Sequence, residues 1–437
     1  IEGGILGLRD KHKSDVEKNN IKWIDLVICN LYPFSKTIAQ KDCTMALALE
    51  NIDIGGPTMI RSAAKNCGWV CVATDLSDYT IILSALKSKG EISFNIRQKL
   101  SLKAFGHTAQ YDTIIHNYLK KDELSNNLSL TFVKHSNMRY GENPHQNAAA
   151  YQIPNDNSNN ILNAKIHQGK QLSYNNIMDS DGALNCLKDF YEPACVIVKH
   201  ANPCGVSTGE SLLQTYKNAF NADSISAFGG IIALNRTCSK EVAIEISKVF
   251  AEIVIAPKYD SESLEIFKTK KNLRVLQTKK LKRRSSKLEI RNIDGGILIQ
   301  DTDTKSLKTN DLKFVTKRLP TKKELKTALF AWKVLKHAKS NGILIAKNNT
   351  TVGLGAGQVS RVDAVHMALK KGGNKVKGAV LGSDAFFPFR DSIDAIGKTG
   401  IKTVIQTGGS IRDAEVIEAC NEYNISMIFT GTRCFKH

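Results

Sequence analysis

Short, nearly continuous apolar runs recur along this chain, each followed by polar residues. Trp23 to Asn30 (WIDLVICN), WVCVAT from Trp69, Ala194 to Val198 (ACVIV) and Gly342 to Ala346 are of this kind. Uninterrupted apolar runs of strand length suit strands buried on both faces of a parallel sheet, whereas a sheet with one wet face alternates apolar and polar residues. The expected fold class is therefore α/β. At 437 residues the chain exceeds one ordinary core, since domains run to about 100–200 residues, so two or three units are expected. Periodicity weakens from Asn126 to Asn137 and polar residues dominate from Gln152 to Asn163, which sets the expected domains at 1–130 and 131–437.

The breaks between these runs locate candidate sites. Pro33 has no backbone donor and biases Tyr32 away from the helical region, so Leu31-Tyr32-Pro33-Phe34 is expected to leave the sheet at a strand's carboxyl end, where open α/β sheets bind ligands. Asp53-Ile54-Gly55-Gly56-Pro57-Thr58 precedes a helix-like MIRSAAKN. Thr321-Lys322-Lys323-Glu324 has capping-box spacing, and Leu325, Leu329, Trp332 and Leu335 follow at helical intervals as core residues. That helix leads to the strand Gly342 to Ala346, a turn at Lys347-Asn348-Asn349, and a second strand into Gly353-Leu354-Gly355-Ala356-Gly357. There is no fixed-period short repeat, yet the two strand-turn-helix halves of the large region fit distant structural duplicates.

Composition narrows the function classes. Apolar residues make up 42% and charged residues 24%, and no stretch approaches the roughly 18 apolar residues of a membrane helix. The start, Ile1-Glu2-Gly3-Gly4, lacks an initiator Met and a signal-peptide layout, and reads as internal to a longer protein. Cys29, Cys71 and Cys195 lie inside apolar runs and are expected to be buried small hydrophobes, with the ten cysteines reduced in a cytoplasmic protein. Cys67 and Cys71 have no second Cys/His pair nearby, so no metal is expected. The net charge of +19 favours anionic partners. Its sharpest run, Lys279-Lys280-Leu281-Lys282-Arg283-Arg284, has no interleaved aromatics and reads as a solvated face rather than a nucleic-acid platform.

Several segments can carry chemistry. In Lys199-His200-Ala201-Asn202-Pro203-Cys204-Gly205, a His, a residue type that can exchange protons in neutral solution, beside a Lys suits acyl or formyl transfer, one removing a proton and the other stabilising charge; the same pair also serves as ordinary strand-end surface. A zinc deaminase needs H-x-E and P-C-x-x-C, and neither is present at His200 or Cys204. The Gly353 loop breaks G-x-G-x-x-G spacing and has no Lys-Ser/Thr, leaving close backbone packing as its use. Gly408-Gly409-Ser410-Ile411-Arg412-Asp413 opens a helix, as an anion site or a plain cap. Arg139-Tyr140-Gly141-Glu142-Asn143-Pro144-His145-Gln146 reads as a loop whose Arg139 can grip a phosphate. Ser383-Asp384-Ala385-Phe386-Phe387-Pro388-Phe389-Arg390-Asp391 either holds a flat heterocycle or plugs the core.

Taken together, RYGENPHQ, KHANPCG, SAFGG, IAP, GLGAGQ-x-SR, SDAFFPFRD and the terminal R-x-F-x-H occur in an order that resembles the bifunctional AICAR transformylase/IMP cyclohydrolase family across the whole chain. The resemblance implies a small methylglyoxal-synthase-like α/β domain, here incomplete, followed by a large cytidine-deaminase-like transformylase region without zinc and with two related subdomains. It implies formyl transfer from 10-formyltetrahydrofolate to AICAR, then closure of formyl-AICAR to IMP, by a homodimer with interface active sites and no nucleic-acid or membrane partner. By the same resemblance His200 is the base on the amine, Lys199 assists the folate leaving nitrogen, and Asn348 orients His200 or the tetrahedral oxygen. Arg139 and Tyr140 bind the nucleotide and Arg433 its phosphate, while Phe228, Gly229, Arg361, Phe386, Asp391 and His437 belong to further ligand-contacting segments. Glu252, before IAP, has no implied role. Tyr32, Asp53 and Lys65 match what remains of the cyclohydrolase site, and the missing upstream segment implies impaired cyclisation. A non-catalytic RNA- or polyanion-binding protein is the competing class, resting on the net charge alone.

Overall fold

The computed structural model describes residues 1–282 and 288–437, so Arg283 and Arg284 of the basic run lie outside the described residues. The chain divides into two compact units, Ile1–Val133 and Lys134–His437.

In the first unit, β1 (Leu26–Ile28) and β2 (Cys71–Ala73) pair in parallel, with Val27 opposite Val72. The helices α1 (Gly55–Lys65) and α2 (Phe94–Leu119) supply Ile60, Ala63, Ala64 and Ala104 to the core around them. WIDLVICN does not form a strand buried on both faces: β1 is three residues long, and Ile28 is 53% exposed beside buried Val27. The sheet here has two strands, and only one face of β1 is covered. Cys29, just past β1, is accordingly half-buried, while Cys71 and Cys195 are buried as expected. Helix α1 also starts earlier than MIRSAAKN, because the Asp53 carboxylate accepts the Gly56 N–H at 2.7 Å and Pro57, which has no N–H to leave unpaired, fits a first turn.

At the boundary, β3 (Val133–Met138), whose residues from Lys134 on belong to the second unit, pairs with β4 (Ala148–Gln152). The rest is built on one twelve-stranded sheet. Its first half comprises β5 (Lys165–Gln168), α3 (Tyr174–Leu187), β6 (Ala194–Lys199), β7 (Asn202–Thr208), α4 (Leu212–Ala222), β8 (Ile231–Leu234), α5 (Lys240–Ser247), β9 (Ile253–Ala256), α6 (Ser261–Lys268) and β10 (Arg274–Gln277). A separate hairpin, β11 (Leu288–Ile293) and β12 (Gly296–Asp301), intervenes. The second half comprises β13 (Lys313–Phe314), α7 (Lys322–Leu335), β14 (Ile343–Lys347), β15 (Thr350–Gly355), α8 (Arg361–Gly372), β16 (Val380–Ser383), α9 (Asp391–Gly397), β17 (Thr403–Gln406), α10 (Asp413–Glu422) and β18 (Ser426–Phe429).

The two halves repeat one element order, and the strand order β13-β18-β17-β16-β14-β15-β7-β6-β8-β9-β10-β5 reads alike from either end. Strands β8 to β10 and β16 to β18 are parallel, the four central strands run antiparallel, and an antiparallel strand closes each edge. Alternation along the central strands explains the continuous apolar runs. Ala194, Val196 and Val198 face a core shared with α3 and α7, whereas Cys195 and Ile197 face α4, α5 and α6. In β14, Leu344 and Ala346 join the shared core while Ile343 and Ile345 pack on α8, α9 and α10. Helices thus cover both faces, which keeps polar residues to the strand ends.

Candidate active site

The Lys199-His200 segment forms the hairpin between β6 and β7. Its two turn residues, His200 and Ala201, have φ of +51° and +58°, as a type I′ turn requires. Ala201 does not favour that region, which costs an L-residue about 1–2 kcal/mol. The conformation is held by Asp179, projecting from α3: its carboxylate accepts the His200 N–H at 3.2 Å and the Ala201 N–H at 2.7 Å. Lys199 is aimed along the rim of the sheet, its Nζ donating to the Phe228 carbonyl at 2.7 Å. Phe228 is exposed, with its ring centre 5.4 Å from that of Phe250, and Gly229 takes a φ of +71° while its N–H donates to the Phe250 carbonyl. Glu252, two residues on, pairs with Arg274 at 2.8 Å. Burial, with Asp223 close by, pushes the Cys204 thiol up to about 12, so it stays a neutral thiol rather than a nucleophile.

From this turn a chain of hydrogen bonds runs into the second half. Asn202 Oδ1 accepts the Lys339 N–H at 3.1 Å, and the Lys339 carbonyl accepts from Gly357 at 2.8 Å. Next along is a buried ion pair. Arg361, 8% exposed, donates to Asp384, fully buried, at 2.6 Å, and also to Ser383 and Asn341. The second Asp384 oxygen accepts from Ser340 Oγ at 2.6 Å and Gly342 N–H at 2.8 Å, and its main-chain carbonyl accepts from Cys434. Arg361 is therefore spent on organising the loop after α7 and the terminal segment, rather than presented to an open surface. That terminal segment carries exposed Arg433, which lies 5.0 Å from the Phe435 ring centre, and exposed His437, whose ring is tilted at 58° to the same ring with centres 5.6 Å apart.

The aromatic loop serves both expected uses. Phe387 is fully buried in the second-half core, while Phe386 is exposed and Asp391 sits exposed at the start of α9, accepting from Ser392 N–H. The glycine loop packs rather than binds: a Cβ on Gly353 would meet the Ala368 carbonyl of α8 at 2.2 Å. At Gly408-Gly409 the Asp413 carboxylate accepts the Gly409 N–H at 2.7 Å, so that helix start supplies its own anion. Arg139 and Tyr140 lie in the loop joining β3 to β4, Arg139 5.7 Å from the Tyr140 ring centre. Asn175 and Gln171 tie this hairpin to the amino end of α3, the helix bearing Asp179.

Two expected groupings are not complete within one chain. Asn348 occupies the turn between β14 and β15, and β15 runs antiparallel to β7 with Thr350 opposite Ser207. The Asn348 turn and the His200 turn consequently lie at opposite ends of β7, about 20 Å apart at roughly 3.3 Å per residue, so Asn348 does not orient His200 of its own chain. In the first unit Asp53 Oδ2 accepts the Tyr32 N–H at 3.2 Å and Tyr111 donates nothing to that carboxylate but accepts the Asp53 N–H at 2.8 Å, which joins Tyr32 and Asp53. Lys65 is at the far end of α1, about 15 Å along the axis at roughly 1.5 Å per residue.

Asp179, Asn202 and Asp384 are the residues that sequence reasoning did not assign. Asn202 stood inside KHANPCG and Asp384 inside SDAFFPFRD, whereas Asp179, in the middle of a helix, carried no local signal.

Residues 63–371 match the family model described as the AICARFT/IMPCHase bienzyme. The chain is 48% identical over 442 residues to the bifunctional purine biosynthesis protein PurH of Bacillus cytotoxicus, covering 100% of this chain and 86% of that protein. It is 48% identical to the protein of the same name from Acetivibrio thermocellus, over 100% of this chain and 87% of the relative. The corresponding protein of Caldicellulosiruptor saccharolyticus is 47% identical, with 100% and 86% coverage.

Proposed function

The chain belongs to the AICARFT/IMPCHase bienzyme family, and from that premise we propose how its residues divide the work. The protein acts in purine biosynthesis, moving a formyl group onto AICAR and closing the product to IMP. The polyanion-binding reading is not favoured by these relatives, and the expected impairment of cyclisation finds no support in alignments that run the whole length of the chain.

We assign formyl transfer to Lys134–His437, in a cytidine-deaminase-like fold, and cyclisation to Ile1–Val133, in a methylglyoxal-synthase-like fold, with 10-formyltetrahydrofolate as the formyl donor. His200 takes a proton from the AICAR amine as the nitrogen attacks the formyl carbon. Lys199 steadies the folate nitrogen as its bond to that carbon breaks. Arg139, Tyr140 and Arg433 hold the nucleotide, and Phe386 with Phe228 and Gly229 offer surface to the flat folate ring, with Asp391 and His437 at its polar edges. Arg361 positions this rim through Asp384 rather than by contact. In the small unit, Asp53 fixes Tyr32 for ring closure, and Lys65 acts from the other end of α1.

The observation that carries the transfer reading is the turn itself. His200 and Ala201 are held at positive φ by a carboxylate dedicated to their two N–H groups, an arrangement that fixes the backbone from which the imidazole projects. Because Asn348 lies at the opposite end of the sheet, we infer that it serves the site of a second copy, in a homodimer. The ten free cysteines suit a cytoplasmic protein. The test is K199A/H200A, assayed for the two half-reactions separately: formyl transfer should be lost while formyl-AICAR still closes to IMP. Equal loss of both, with the fold intact, would remove the division of labour.

A further inference from the structure

The internal duplication gives the first half its own version of the carboxyl-end rim, and there it holds a cavity. In the second half, the carboxyl ends of β16 and β18 and the loop after α7 carry Asp384, Phe386, Arg433 and Ser340. The same elements of the first half, the ends of β8, β9 and β10 with the loop after α3, close around a cavity of about 490 Å³ at the opposite end of the sheet. Ligand pockets of open α/β sheets favour such carboxyl ends, and a volume of about 300–1,000 Å³ suits a small molecule.

Its lining is basic. Lys188, Arg236, Lys258 and Lys280 contribute to it, and among the described residues no carboxylate does. Asp189, next to Lys188, is turned onto His337 Nε2 at 2.8 Å. The loops are pinned from within. Buried Asn235 accepts the Ala194 N–H at 2.8 Å and donates to the Phe190 and Glu192 carbonyls, and Arg236 donates to the Asn235 and Tyr191 carbonyls. Asn159 accepts from Lys279 N–H at 2.7 Å and donates to the Lys280 carbonyl at 2.8 Å, fixing the backbone beneath Lys280. Tyr191, 68% exposed, leaves an aromatic face at the mouth.

We propose that this cavity is a second, non-catalytic ligand site for a nucleoside 5′-monophosphate, the phosphate held by Arg236, Lys258 and Lys280 and the base against Tyr191. Cationic donors on fixed loops suit a phosphate, and an exposed ring suits a flat heterocycle. It gives a ligand to Lys280, part of the run whose lack of interleaved aromatics reads as a solvated face.

The probe is uridine 5′-monophosphate, which is not a purine substrate, measured by equilibrium dialysis on the full chain alongside formyl transfer. Wild type should bind it saturably, and K258E/K280E should bind about ten-fold more weakly or worse, the loss of charge-assisted contacts, with formyl transfer unchanged. R236A should weaken binding likewise, while K313E/K317E, with the same charge change at the far edge of the sheet, should not. No saturable binding by wild type, undiminished binding by K258E/K280E, or equal weakening in K313E/K317E would each overturn the proposal.

Discussion

The two hairpins at the centre of the sheet are counterparts with different demands. From Ser173 and Thr321, which cap helices of equal length with a reciprocal side-chain box, the spacing stays the same through Lys199 and Lys347, His200 and Asn348, to Gly205 and Gly353. Even Asp189 and His337 are counterparts, and they pair with each other at 2.8 Å. Both turns adopt positive φ at both central residues. Asn-Asn does so cheaply, because a short polar side chain tolerates that region, whereas Ala201 has no such side chain. Asp179 is the compensation. Its counterpart Thr327 donates instead to the Lys323 carbonyl of its own helix at 3.0 Å. Where one copy of a duplicated frame keeps a costly turn and adds a clamp for it, the turn is retained for what its side chain does.

That comparison can be broken most sharply by replacing His200-Ala201 with the residues of the other turn. H200N/A201N should lower formyl transfer by about 10²–10⁴-fold, the usual worth of general acid–base catalysis, yet unfold at higher urea than wild type; retained activity would remove the base from the mechanism. Packing tests the likeness of the halves rather than their difference. A Cβ at Gly205 would lie 2.1 Å from the Ala219 carbonyl and one at Gly353 2.2 Å from that of Ala368. G205A and G353A should therefore each cost about 1–3 kcal/mol by overpacking in urea denaturation, and one neutral result would show that the helices seat differently.

The clamp is isolated by D179A against T327A. Leaving two N–H groups without their acceptor should cost about 1–3 kcal/mol and lower kcat for formyl transfer more than it raises KM, while T327A should leave kcat unchanged. The smallest effect expected is on acid stability. Burial opposes ionisation of Glu324, but Arg318, 2.7 Å away, and the Thr321 N–H outweigh it and hold the carboxyl below its ordinary value. A depressed folded pKa contributes stability that is present above the unfolded value and lost as pH falls through the folded one. Thermal melts of E324Q should therefore show less loss between pH 5 and pH 3, a window set roughly by the ordinary carboxylate range, than wild type. The counterpart Asn176 has no proton to gain, so N176D should add to the acid sensitivity of the first half.

Much of the frame was legible in order. The apolar runs ACVIV and Gly342 to Ala346 became central strands because helices cover both faces, and the Thr321 box starts a helix where its spacing said, since both signals depend on near neighbours along the chain. The same kind of run misled at WIDLVICN, because burial of a second face depends on what lies across from it. Motif residues were found as a set, yet their grouping was not. His200 and Asn348 each follow a Lys at a strand end, and only the antiparallel pairing of β7 with β15 sends them to opposite ends of one sheet. Arg361 read as a ligand contact and turned inward because Asp384, distant in sequence, lies buried beside it.

What the sequence determined by itself was local and additive: the helix cap at Thr321 and the chemistry available at Lys199 and His200, whereas the first strand ends at Ile28, well before Pro33. The tertiary structure decided everything that requires two distant segments to meet. Asp179 reaches the His200 turn only because α3 packs across β6, and the basic residues after β8, β9 and β10 surround one cavity only because those strands end side by side. A linear pattern records which groups a chain possesses, and the sheet order fixes which of them share a dielectric and a few ångströms of space.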